Sequence, residues 1–127
     1  MTTATIELGR FLTLAGLRHR AGETAPQMFS GAVDAAWHSA LEGEGYPALC
    51  ARTAGELVGH SETGGHGPIT WISVYEAAYG PLPEIWFTDA DGRLDTAMLA
   101  VYRETATVTA SWNCGPEFTG RPSEITE

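Results

Sequence analysis

The apolar positions of this chain first recur at helical spacing and later, after Pro47, at strand spacing. Over residues 5–22, Leu8, Phe11, Leu12, Ala15 and either Leu14 or Leu17 follow three- and four-residue steps, which predicts an amphipathic helix that stops at Gly22. A second helix is signalled by Thr24 and Gln27, which match a capping box, and by Pro26, whose missing N–H is harmless in a first turn. Met28, Phe29, Ala32, Val33, Ala36, Trp37, Ala40 and Leu41 then form an apolar stripe that belongs in a core, and Gly43 and Gly45 end it.

Beyond Pro47 the pattern favours short strands. Residues 49–57 are ambiguous between a helical turn and a strand lead-in, and 55–62 read as a weak strand. Residues 69–79 place Ile69, Trp71, Ser73 and Tyr75 on one face and Thr70, Ile72 and Val74 on the other, as expected of a central strand. Gly80, Pro81 and Pro83 mark a turn into a strand at 84–88, and Asp91-Gly92 is a hairpin signal. Residues 97–103 and 105–112 either pair or form one long strand. The second alternates cleanly, with Ala106, Val108, Ala110 and Trp112 inward and four Thr or Ser residues outward. The predicted fold class is α+β: two N-terminal helices packed on one face of a four- to five-stranded, mainly antiparallel sheet. One domain spans 1–114, followed by a loosely ordered polar tail at 115–127 that contains Pro116 and Pro122. The run 69–94 also resembles the central meander of autophagy-type noncanonical ubiquitin-conjugating enzymes. The His-Pro-Cys context of those enzymes is absent, and no residue role is carried over.

Composition narrows the function classes. The 127 residues suit one domain, and 43% hydrophobic content with four Trp suffices for one core. Seven basic residues against 16 acidic ones leave a net charge of -9, which repels a phosphate backbone and an anionic membrane surface, so neither nucleic acid nor membrane is expected as a partner. Arg18, His19 and Arg20 form the one basic cluster, and a helix C-terminus accounts for it. Two cysteines, Cys50 and Cys114, make no disulfide framework. With no signal-peptide pattern after Met1 and no apolar run near the ~20 residues of a bilayer span, a cytoplasmic location is expected.

Three constellations could carry chemistry. His60, Glu62 and His66 lie around a glycine-rich turn, and His60 and Glu62 share a strand face onto which the turn could return His66. Two imidazoles and a carboxylate serve as metal ligands or as an acid/base pair, and a zinc ion held by three of them keeps a fourth position for water. A glycine-rich hairpin explains the same residues more simply, so no metal and no cofactor is assigned. Cys114 closes the best strand and is the candidate nucleophile, provided a neighbouring base or cation holds its thiolate. Asp89-Ala-Asp91-Gly92 imitates the start of a calcium loop but lacks the remaining ligands and the flanking helices. Phosphate-binding-loop and nucleophile-elbow signatures are absent.

The aromatics Trp71, Tyr75, Tyr79, Trp86 and Tyr102 concentrate in the strand region. Strand alternation turns some of them outward beside Glu76, Glu84 and Asp89. The expected function is therefore a small acidic binding module that engages a protein partner, a basic one being the electrostatic match, through this aromatic sheet face. The alternative is a small enzyme or ligand-binding protein with a pocket between helices and sheet, using His60, Glu62 and His66 or Cys114.

Overall fold

The computed structural model describes residues 2–118. Five α-helices, one 3-10 turn and four short strands follow one another along the described residues. They are α1 (Thr3–Arg20), α2 (Gly31–Leu41), α3 (Tyr46–Thr53), β1 (Gly59–Ser61), β2 (Gly65–Pro68), α4 (Ile72–Tyr79), the 3-10 turn (Glu84–Phe87), α5 (Thr96–Thr105), β3 (Thr109–Trp112) and β4 (Gly115–Glu117). The strands form two separate antiparallel pairs, β1 with β4 and β2 with β3. The predicted four- to five-stranded sheet is thus overturned, and helices occur throughout the described chain instead of only at its start.

The correction has a local cause in each case. Residues 69–79 were assignable to a strand because Trp71 and Tyr75 share one parity, but Trp71, Ile72 and Tyr75 also lie at helical spacing. Those three are buried, whereas Ser73 and Val74 are exposed, so the helical period wins. Glu76, Ala77 and Ala78 favour a helix, and Gly80, at φ 87°, ends it where a side chain would be strained. The resemblance to a β-meander fails with this segment. Residues 97–103 belong to α5, whose N-cap Asp95 accepts a hydrogen bond from the Met98 amide at 3.0 Å, a cap the strand reading overlooked. Residues Glu84–Phe87 of the predicted 84–88 strand form the 3-10 turn, with Thr88 as its C-cap. The Asp91-Gly92 reversal does form, closed by a single bridge between Thr88 and Leu94.

The second helix begins later than its predicted capping box. Ser30 is the N-cap, accepting from the Val33 amide at 3.1 Å. Thr24 instead accepts from Arg18 through its carbonyl and hydroxyl oxygens, and Gln27 bonds Pro68 and Thr70. Met28 therefore enters the core from an extended segment, bridged to Cys114, and not from a helix face.

Phe11 of α1 sits at the centre of the core. Trp37, Trp71 and Trp86 surround it at ring-centroid distances of 5.7, 5.7 and 5.8 Å. The core also contains a carboxylate. Glu7 is only 2% exposed, accepts from the Tyr75 hydroxyl at 2.6 Å and the Trp86 indole at 2.9 Å, and is ion-paired to Arg10 at 3.0 Å. Helix α1 lies so close to the end of α3 that a Cβ at Gly16 would fall 2.3 Å from the Ala54 carbonyl oxygen. No helix among the described residues is long and apolar enough to cross a membrane.

Candidate functional site: a histidine and aspartate cluster

Helix α2 carries two polar residues one turn apart, Asp34 and His38, on a helix whose core face is made by Val33 and Trp37. Strand β1 runs past that turn and delivers His60, whose ring stands edge-on to Trp37 at a centroid distance of 4.6 Å. Pairing with β4 holds the strand there, with His60 opposite Pro116. The His60 side chain is 10% exposed, whereas that of His38 is 55% exposed, so the cluster is walled on one side and open to solvent on the other.

Three donor atoms converge. His60 Nε2 lies 2.9 Å from His38 Nε2 and 3.2 Å from Asp34 Oδ1, and His38 Nε2 lies 3.5 Å from Asp34 Oδ2. Protons satisfy this arrangement incompletely. If His60 Nε2 carries the proton, it has two acceptors to serve with one N–H. If His38 Nε2 carries it and donates to His60, no proton is left between His60 Nε2 and Asp34 Oδ1, 3.2 Å away. With both protonated at Nε2, two N–H groups oppose each other. A cation held between them would meet all three residues at once. Bonds of ~2.0–2.1 Å to zinc imply ligand-to-ligand separations of roughly 3.3 Å in a tetrahedron, within the observed spread.

Cys114 supports the carboxylate from behind. Its thiol donates to Asp34 Oδ1 at 3.1 Å, and the residue is 3% exposed. Burial, then the Asp34 carboxylate and Glu62, push the thiol up to about 12, so it is an S–H donor near neutral pH and not a thiolate. Metal-bound carboxylates are commonly oriented by such a second hydrogen bond.

The sequence-derived candidates are distributed as follows. His60 and Cys114 both reach Asp34. His66, in β2, bonds Ser111 across the β2–β3 pair at 2.8 Å, and Glu62 is exposed beyond the end of β1. Among the described residues, Asp34, His38 and His60 are the set whose ligand atoms lie mutually within 4.8 Å, and His60, Glu62 and His66 do not form one. Cys50 is buried in α3, and both cysteines are free thiols. Sequence reasoning missed Asp34 and His38, although their four-residue spacing on one helix was a usable signal.

Among the described residues, the aromatic face expected from strand alternation does not form. Trp71, Tyr75 and Trp86 are wholly buried, Tyr102 is 4% exposed, and Tyr79 packs partly buried against Tyr75. In comparisons with protein-family models, curated proteins and solved structures, nothing matches the chain.

Proposed function

We propose that the protein binds a divalent cation of the zinc class through Asp34, His38 and His60. The reading rests on one observation, the convergence of two imidazole nitrogens and both oxygens of the Asp34 carboxylate, with contacts of 2.9 to 3.5 Å that one shared proton serves incompletely. Two imidazoles and a carboxylate are a borderline-soft donor set suited to zinc. The net charge of -9 favours accumulation of a cation. Three protein ligands would leave zinc a coordination position for water, whose pKa the metal would lower to about 7. The chemistry of such a centre is Lewis-acid hydration or hydrolysis.

Calorimetric titration of tag-free, metal-stripped protein with zinc tests the proposal. Expected is one ion per chain, with Asp34→Ala, His38→Ala and His60→Ala each weakening binding by about tenfold or more and His66→Ala leaving it unchanged. Cobalt in place of zinc should give the intense visible absorption of a tetrahedral site. Absence of stoichiometric binding, or equal losses in His66→Ala and His60→Ala, overturns it.

A further inference from the structure

Away from the Asp34, His38 and His60 cluster lies a groove of about 490 Å³ bordered by α1, the end of α2, α3 and the end of α4. Its volume falls within the roughly 300–1,000 Å³ of small-molecule sites. The walls are mainly apolar and include Ile6, Gly9 and Leu49. Ile6 is 43% exposed and adds apolar surface to the wall.

Charge selects the class of occupant. The chain has 16 acidic residues, and none of those among the described residues lines this groove. It has seven basic residues, all arginine, and two of them, Arg10 and Arg52, do line it. Arg10 is held in place. Its guanidinium stacks on the Tyr79 ring at 4.7 Å, and its hydrogen bonds to Glu7 and Tyr75 both leave from Nη1. The Nε and Nη2 donors therefore have no partner among the described residues, and that edge of the fork is the one that grips a carboxylate bidentately. Arg52 makes no ion pair or side-chain hydrogen bond among the described residues. Glu7 offsets the charge of Arg10, so the groove keeps one uncompensated positive charge in an otherwise acidic protein.

From this combination we infer that the groove binds an amphipathic monocarboxylate, its alkyl body along the apolar wall and its carboxylate at the two arginines. The site shares no residue with the Asp34, His38 and His60 cluster and does not depend on a bound metal.

The test is displacement of a fluorescent fatty-acid probe by octanoate, decanoate and dodecanoate, each compared with its methyl ester, on the full chain. Expected is saturable binding at one site, tightening by roughly two- to fourfold per added methylene, with the esters about tenfold weaker than the acids. Arg52→Gln, an exposed substitution that leaves the core untouched, should reproduce the loss seen with the esters. Gly9→Leu, which fills the groove, should abolish binding while circular dichroism shows the helices intact. His60→Ala should bind like the parent, which separates this site from the metal centre. Equal affinity for acids and esters would mean a neutral apolar ligand and overturn the inference. So would non-saturable uptake, or unchanged binding in both Arg52→Gln and Gly9→Leu.

Discussion

Glu7 and Trp86, 79 residues apart in the chain, are joined in the core by a 2.9 Å hydrogen bond from the indole N–H to a carboxylate oxygen. The same oxygen accepts from the Tyr75 hydroxyl, so one side chain of α1 fixes both α4 and the 3-10 turn against the first helix. Glu7→Ala leaves two buried donors without acceptors and a cavity, and should cost about 3 kcal/mol or more. Glu7→Gln keeps an accepting oxygen and should cost less. Chemical denaturation of both variants checks the order, and a loss under ~1 kcal/mol for Glu7→Ala would show that the network contributes little.

Gly16→Ala should destabilise the protein even though alanine is the better helix former. In an open helix the exchange gains about 1 kcal/mol. Here the new methyl meets the Ala54 backbone at 2.3 Å, and prying α1 from α3 should cost about 1–3 kcal/mol. Thermal unfolding of the variant gives the sign, and a raised midpoint would show that the helices separate freely.

Trp37→Ala should cost ~3–5 kcal/mol, because Trp37 is fully buried against Phe11. It should also weaken zinc binding, since the indole is the surface on which the His60 ring is seated. Trp37→Phe should restore most of the stability by refilling that volume. Denaturant titration together with zinc calorimetry separates the two effects.

Stability should decline in alkali as buried phenols ionise. Burial raises Tyr46 and Tyr75 well above the usual value of 10.0, and burial with the Glu76 hydrogen bond raises Tyr102 to about 12. The unfolded chain then releases protons before the folded one does, so stability is intact below about pH 10 and is lost as pH rises toward 12. Tyrosinate absorbance and far-ultraviolet dichroism recorded together through that window check this. Early ionisation of all four tyrosines in a still-folded protein would contradict it.

Cys114→Ala removes the S–H donor behind Asp34 and should weaken zinc binding by about tenfold while leaving one ion per chain. Calorimetry reads both quantities. A Cys114→Ser variant keeps a donor and should recover part of the affinity.

The sequence by itself determined the first helix, the place of Val33 and Trp37 in the core and the inward turn of Val108 and Ala110, but not that of Ala106, which caps α5 and is exposed; of the Asp34, His38 and His60 cluster it singled out His60 alone. These follow from spacing within a few residues, where side-chain direction is set by the local backbone. The strand reading of 69–79 failed because Trp71 and Tyr75 satisfy both periods, and only the burial of Ile72 beside exposed Ser73 and Val74 distinguishes them. Which histidine joins which carboxylate was a matter for the tertiary structure alone. Asp34 lies 26 residues from His60 and 80 from Cys114, and their meeting depends on β1 pairing with β4 beside α2. That pairing is favoured by burial summed over the whole core, and no short stretch of sequence encodes it.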